Sequence, residues 1–374
     1  MPISVLTIIP DFVRSAGAFI VVLGVLVFVH ELGHYLAARW RGVRVEVFSI
    51  GFGRSIKSWT DKTGTVWKLA WIPLGGYVKL HGQERPQDVS DEVRASWIRG
   101  RTFHDKSVLS RAIVVAAGPI ANFLLAMVLF AGLYVFVGQP VTLPVIASVL
   151  PDGAAARAGL MANDRVVAIG DESINTFEDL QRIVSTHPGQ TLGMTIQRDG
   201  ADRRIDVTTE SRMSGINQIG MLGVRGGVTE YRHVSFPAAL WGGVRQTWVI
   251  TSETFKGVAQ MISGTRGTDE LGGPLRIAQL SGQVAQLGVA SLVSFIAMLS
   301  VNLGLINLFP IPVLDGGHLL FYLAEALRGR PLPARAQEYG FRAGLAVLAC
   351  LFVFATWNDL THLGLFRWVA GLGG

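Results

Sequence analysis

Residues 18–29 run Ala-Phe-Ile-Val-Val-Leu-Gly-Val-Leu-Val-Phe-Val and lead without a break into His30-Glu31-Leu32-Gly33-His34. A stretch this apolar can lie in hydrocarbon, where a single segment satisfies its own N–H and C=O groups only by being a helix. On a helix, positions i and i+4 share a face, so His30 and His34 point the same way and both imidazoles can reach one metal ion. Glu31 stands beside them, where a carboxylate can take the proton of an attacking water. Ionisable groups at bilayer depth are costly and rarely serve packing. Three of them in ligand spacing point to water chemistry inside a membrane.

The rest of the chain fits that setting. Of 374 residues, 50% are hydrophobic and 16% charged, with a mean hydropathy of +0.41. This is the profile of a polytopic membrane protein with some soluble mass rather than of a globular enzyme. The 44 glycines suit membrane helices and re-entrant loops. The lone cysteine, Cys350, lies in an apolar run and excludes a disulfide framework. The net charge of +6 is read by its location, and no nucleic-acid partner is expected. The N-terminal apolar run is read as a retained span, since cleavage there would discard the metal motif.

Four segments are long and apolar enough to cross a bilayer: about 16–38, 109–138, 289–309 and 341–365, the last flanked by Arg342 and Arg367. Residues 39–107 hold 13 Lys/Arg against 7 Asp/Glu, and the loop between the third and fourth spans holds Arg328, Arg330 and Arg335. Lysine and arginine favour the cytoplasmic side. Segments 39–107 and 310–340 are therefore placed in the cytoplasm, with both termini and the 139–288 stretch outside.

Within that outer stretch the pattern changes to short β-runs separated by turns. Val145–Val149 alternates and ends at Pro151-Asp152-Gly153; Ala154–Leu160 is a short helical piece; Asp164–Gly170 is another strand. Thr176 caps a helix to about Val184, with Asp179 completing the box. Thr191–Arg198 and Arg204–Thr208 flank an Asp199-Gly200 turn. Residues 235–262 read as an amphipathic helix, lying on the outer membrane face or packed as an ordinary surface helix.

Two histidines do not complete a catalytic zinc site, which has three protein ligands and an open position. The candidates for the third lie in Asn302–His318, where an apolar run is broken by Pro310 and Pro312 before Asp315. The prolines stop regular helix and let a carboxylate project into a cavity. His318, three residues on, competes with Asp315 on chemistry alone. Asn122 and Asn307 are polar residues in apolar spans, available to hydrogen-bond a substrate backbone or simply to join helices.

Two resemblances extend this reading. "VLPDGAAARAGLMANDRVVAIGDESINTFEDLQRIV" followed by "GQTLGMTIQRDG" resembles a PDZ domain of the bacterial protease-associated kind, a module that binds peptides by adding a strand to a sheet edge. "HELGH" in the first span, "GPIANF" at 118–123 and "NLFPIPVLDGGH" at 307–318 together resemble the site-2 protease family of intramembrane metalloproteases, in the regulator-of-sigma-E protease group. That resemblance implies His30, His34 and Asp315 as zinc ligands and Glu31 as general base. It also implies that Gly51-Phe52-Gly53 belongs to a membrane re-entrant β-loop. The edge strand around Trp71–Leu80, with Gly75, Gly76 and Tyr77, would then pair with substrate, unless 39–107 holds only an ordinary cytoplasmic hairpin. Asn122 and Asn307 are then substrate-binding candidates, and Leu271-Gly272-Gly273-Pro274 resembles a loop that helps gate substrate entry. Many relatives carry two tandem PDZ domains, and this chain has room for one.

The expected fold is a multi-pass α-helical membrane protein with four transmembrane helices, an inserted α/β PDZ domain and a membrane-associated β-hairpin region. Residues 1–140 form the first half of the membrane core, 141–228 the extracytoplasmic PDZ domain, 229–288 membrane-surface helices, and 289–374 the second half of the core. The expected activity is zinc-dependent peptide-bond hydrolysis in a bacterial inner membrane. Its substrates are expected to be single-span proteins such as a pre-trimmed anti-sigma factor, or remnant signal peptides, with peptide ends engaging the PDZ domain and lipid around the core. Two other classes compete. A non-catalytic PDZ scaffold has no use for Glu31 beside the histidines, and a metal transporter needs polar residues spread along several spans rather than gathered at one depth.

Overall fold

The computed structural model describes residues 5–84, 89–214, 217–265, 267 and 272–362. The chain divides into two compact units, one of residues up to Leu133 and from Pro237 onward, the other Tyr134–Phe236. Leu271, residues 363–365 at the expected end of the fourth span, and Arg367 lie outside the described residues.

The first unit opens with helix α1 (Val5–Trp40), then strands β1 (Val45–Thr60) and β2 (Val66–Leu80), a short α2 (Asp91–Ala95), and α3 (Val108–Phe136), whose last turn passes into the second unit. Among the described residues, four helices are long and apolar enough to cross a membrane: Val13–Trp40, Val108–Phe136, Val289–Asn307 and Ala334–Thr361. The last begins earlier than its apolar run, because Arg335, Glu338 and Arg342 continue the helix as polar turns. Small residues bring the helices together, as expected where burial against lipid gives no advantage to packing. A Cβ at Gly33 of α1 would stand 2.3 Å from the Ala117 carbonyl oxygen of α3.

The β1–β2 hairpin is more than two strands. Val45, Val47, Phe48, Ser49 and Ile50 pair on one side with residues of 66–69 or, at Val45, with the far segment alone, and on the other with 76–80, while 55–60 pair with 66–70. The ribbon therefore folds into four parallel-lying pieces in the order 55–60, 66–70, 45–50, 76–80. Glycines at positive φ, Gly51 and Gly53, allow the bend that begins this return. The hairpin is fixed to α1 by Phe48, fully buried against the rings of Phe28, Tyr35 and Trp67. At its turn, Tyr35 Oη and Trp67 Nε1 both donate to Asp61 Oδ2.

In the second unit, β3 (Gln139–Thr142), β4 (Ile146–Val149), α4 (Ala154–Arg157), β5 (Arg165–Ile169), β6 (Glu172–Ser173), α5 (Phe177–Ser185), β7 (Thr191–Arg198) and β8 (Ala201–Thr208) lead to β9 (Glu210–Ser214), β10 (Asn217–Met221), β11 (Val224–Gly226) and β12 (Thr229–Arg232). A four-stranded sheet has the order β6-β5-β7-β8, and β4 pairs with β11. Fourteen buried apolar residues form the core, with Ile146, Val166, Met194, Ile196 and Val207 fully enclosed. Thr176 and Asp179 cap α5 reciprocally, and Asp199 and Gly200, both at positive φ, make the two-residue turn between β7 and β8. The β3–β12 ribbon pairs Gln139–Thr142 with Thr229–Arg232, so this unit runs to either side of 141–228. Short exposed strands carry no alternation of apolar and polar residues that would announce them.

The chain returns to the first unit with α6 (Phe236–Ile262), α7 (Pro274–Gln286), α8 (Val289–Asn307), α9 (Asp315–Arg328) and α10 (Ala334–His362). The expected amphipathic helix is α6, and it packs on the membrane helices. Its buried Gly243 meets the Met127 carbonyl of α3, and Thr254 Oγ1 donates to Asn302 Oδ1 of α8. The small residues Ala239, Gly242 and Gly243 permit that approach.

Candidate metal centre

His30 and His34 lie one turn apart on α1, and Asp315 is the first residue of α9. The segment 308–314 leaves helical geometry around its two prolines, and Leu314 is extended. Gly316 and Gly317 then pack so tightly on the backbone of Leu308–Pro312 that a Cβ at either would stand 2.2–2.3 Å from a carbonyl oxygen. That packing starts α9 with Asp315 aimed at α1. His30 Nε2 is 3.2 Å from Asp315 Oδ2, His34 Nε2 is 3.4 Å from it, and the two Nε2 atoms are 3.2 Å apart.

The outer nitrogens fix the rings. His34 Nδ1 lies 2.9 Å from the Val114 carbonyl oxygen. A carbonyl only accepts, so Nδ1 carries the proton and Nε2 presents a lone pair to the centre. His30 Nδ1 lies 3.1 Å from the carboxamide of Asn122, which is fully buried and whose other polar atom has no partner. Turning that amide by a half-rotation places its oxygen on a protonated Nδ1 and frees Nε2 of His30 in the same way. Ser300 Oγ donates to the Asn122 backbone carbonyl and ties α8 to this face of α3.

The residues fit a metal. Asp315 Oδ2 is buried without a hydrogen-bond donor. Three lone-pair atoms converge at 3.2–3.4 Å, and about 3.3 Å is the edge of a tetrahedron with zinc-to-nitrogen distances near 2.0–2.1 Å. The mixed nitrogen and oxygen set suits zinc. Gly118 of α3 keeps the space clear, since a Cβ there would lie 2.3 Å from His34 Nε2.

A cavity of about 890 Å³ opens at the centre, with Glu31, Gly76, Tyr77, Asn307 and His318 in its wall. Gly76 sits against Glu31: a Cβ at Gly76 would be 2.7 Å from the Ser49 carbonyl, 2.8 Å from Val27 and 3.0 Å from Glu31 Cγ. Residues 76–80 pair with β1 along one side only, and among the described residues no other strand covers the second side. Gly75 takes φ +148° with the Phe52 ring in the place of a side chain, and Tyr77 stacks on the same ring at 6.2 Å. Asn307 donates its amide to the Leu303 carbonyl of its own helix. His318 stands outside the group of three and packs its ring 5.4 Å from that of Phe341.

The structure thus gathers His30, His34, Asp315 and Asn122 at one point and places Glu31, Gly76, Tyr77 and Asn307 around one cavity. Sequence reasoning did not single out Gly118, the Val114 carbonyl, Ser300 or the pair Arg111–Glu325 on the cavity wall. Arg111 carried a readable signal, a charge at the start of an apolar span. The others carried none, because their roles depend on which helices meet.

A helix-borne histidine pair closed by an aspartate from a later segment, with a glutamate at the same cavity, defines a metal-dependent hydrolase of membrane-length helices. The chain belongs to peptidase family M50, whose family model matches residues 18–351. It is 45% identical over 359 residues to a protein of Agrobacterium fabrum named "Putative zinc metalloprotease", covering 92% of this chain and 95% of that one. It is also 36% identical over 395 residues to the "Metalloprotease MmpA" of Caulobacter vibrioides, covering 96% and 99%. Among solved structures, a PDZ domain from Listeria monocytogenes matches at 16% identity over 22% of this chain and 84% of its own, with a TM-score of 0.20. The family and the four apolar helices fit a metalloprotease of the inner membrane.

Proposed function

We propose that this protein is a zinc-dependent intramembrane endopeptidase that cuts single-span proteins within or beside their membrane segments. One observation carries the reading: a His-His-Asp group, its histidines on a helix long enough to cross a membrane and its aspartate at the start of α9, opens onto a cavity bordered by a free strand edge. His30, His34 and Asp315 would hold the zinc, which when bound acts as a Lewis acid and brings the pKa of a water towards about 7. Glu31 takes that water's proton on its carboxylate as the oxygen bonds to the scissile carbonyl carbon. The C–N bond then breaks, and Glu31 returns the proton to the leaving nitrogen. Val114 and Asn122 hold the two imidazoles in the tautomer that leaves Nε2 free.

A transmembrane substrate keeps its backbone hydrogen bonds internal, so it must unwind before attack. The 76–80 edge receives the unwound segment as an added strand. Gly76 and Tyr77 lie along that edge, with Gly75 just before it, and Asn307 belongs to the wall of the same cavity. Helix-breaking or small residues near the scissile bond favour cleavage. The substrate class is a single-span protein already shortened by another protease, of the anti-sigma factor type, with remnant signal peptides as a second class. The unit around 141–228 acts as a PDZ domain outside the cytoplasm, where it binds trimmed peptide ends or excludes bulky ones. Both termini lie on that same side.

Purified protein incubated with a model single-span substrate tests the reading. Cleavage is expected with zinc, none after chelation, and recovery on adding zinc back. Glu31→Gln should retain zinc yet lose about 10²–10⁴-fold in rate. Cleavage that survives chelation, or a zinc-loaded Glu31→Gln protein that cuts at the parental rate, would overturn it.

A further inference from the structure

We propose that the Arg111–Glu325 ion pair is a strut that positions Asp315 for metal binding; the inference rests on the zinc reading above. Asp315, His318, Tyr322 and Glu325 follow one another at spacings of three, four and three, so they form one stripe along α9. On α3, Arg111, Gly118 and Asn122 lie on the face that carries the supports of both histidines. At one end of its stripe α9 meets α1, where Asp315 reaches His30 and His34. At the other, Arg111 Nη2 donates to Glu325 Oε1 at 2.6 Å, and its guanidinium lies 4.9 Å from the Tyr322 ring centre.

Between these ends Tyr322 packs against the apolar cluster that includes Val114 of α3. The cavity lies there, and Arg111, Tyr322 and Glu325 belong to its wall. In α9 only Gly316 and Gly317 are fully buried. Their packing fixes where α9 begins, and His318 and Phe321 lay their rings against Phe341 of α10. On the α3 side the far end of α9 has its own tether, and ten residues, about 15 Å, separate Glu325 from Asp315 along the axis. Among the described residues no other ion pair joins α9 to α3. The pair suits the task, since both side chains are only 16% and 15% exposed. Arg111 is held in turn by the segment just before its helix, Nε donating to the Lys106 carbonyl at 3.2 Å. The strut keeps α9 in place across a cavity that must stay empty for substrate.

The test is zinc affinity, measured by competition with a chromogenic chelator on the purified full chain. The proteins compared are the parent, the near-isosteric Glu325→Gln, Arg111→Gln, and the charge-exchanged double variant Arg111→Glu with Glu325→Arg. Each single variant should bind zinc about 10–100-fold more weakly, as losses behind metal ligands do, with unchanged helical circular dichroism. The exchanged pair should recover most of the loss. Parental affinity in Glu325→Gln would overturn the strut, as would an exchanged pair no better than the singles. Loss of helicity in Glu325→Gln would also overturn it, because the pair would then hold the fold and not the ligand. A parent that binds no zinc would instead overturn the zinc reading itself.

Discussion

The two units of this protein bury opposite kinds of side chain where it matters most. In Tyr134–Phe236 the enclosed residues are an apolar cluster, and its principal buried charge, Asp164, is spent on structure. Its carboxylate accepts two bonds from Arg198 at 2.7 Å and one from the Met161 N–H. In the membrane unit many apolar side chains face outward, beside enclosed ones such as Phe48, Val114 and Val301. Leu36, Val128, Phe352 and Val353 are all more than half exposed in the molecule alone, as suits helices covered by lipid. There the enclosed groups include His30, Asn122 and Ser300, whose polar atoms converge on one centre. In water, burial of apolar surface marks the core. In a membrane that surface has no preference for the interior, and burial of polar groups marks the site.

The comparison can be broken at either end. The largest effect is expected at the centre: Asp315→Ala should abolish stoichiometric zinc binding, while His318→Ala keeps it. Metal analysis of the two purified variants decides, and the reverse order would reassign the third ligand. Next is Arg198→Met, which strands a buried carboxylate and should destabilise the second unit, read as faster hydrogen exchange of β5 and β7 in the full chain. Zinc content should not change.

The same pair sets an acid limit. Burial pushes the Asp164 carboxyl up, but the Arg198 bonds and the Met161 N–H outweigh it and hold it below the ordinary range. A carboxyl depressed in the folded state contributes fully above its unfolded value near 3.9. That contribution disappears as pH falls through the lower folded value. Exchange protection of this unit should therefore be flat above about pH 5 and fall in acid, and the acid-linked part should vanish in Arg198→Met. The smallest effect is Thr176→Ala, which removes one half of the α5 cap and should cost about 1 kcal/mol, again in the second unit alone.

Legibility followed the same division. The second unit's turn at Asp199-Gly200 and the cap at Thr176 are local signals and stand where the sequence puts them. The ribbon β3–β12 escaped because its strands are short and exposed. In the membrane unit, the motif His30-Glu31-x-x-His34 and the aspartate after Pro312 were readable, since charge in an apolar run is conspicuous. That α9 begins at Asp315 was not, because Asp-Gly-Gly after two prolines resembles a loop until the glycines are seen packed on residues 308–312. The Arg111–Glu325 pair joins residues 214 apart, and nothing local in either stretch names its partner. The double pairing within the β1–β2 ribbon was likewise hidden, because its two inner pieces, 66–70 and 45–50, each serve two neighbours.

That shared strand makes misalignment hard to tolerate. Ile50 faces Leu69 on one side and Gly76 on the other, so a slip on either flank disturbs both. Because strand side chains alternate between faces, a shift by one position exchanges what points at α1. Gly76 is the residue whose hydrogen alone fits between Ser49, Val27 and Glu31; a deletion of one residue between Phe52 and Gly75 would offer that space to a neighbour instead. If Tyr77 took it, the phenol would collide with the glutamate and close the cavity from within. The spacing of the bend at Gly51 and Gly53 from Gly76 is thus an alignment code, and an error of one residue in it would leave every ligand in place and still silence the centre.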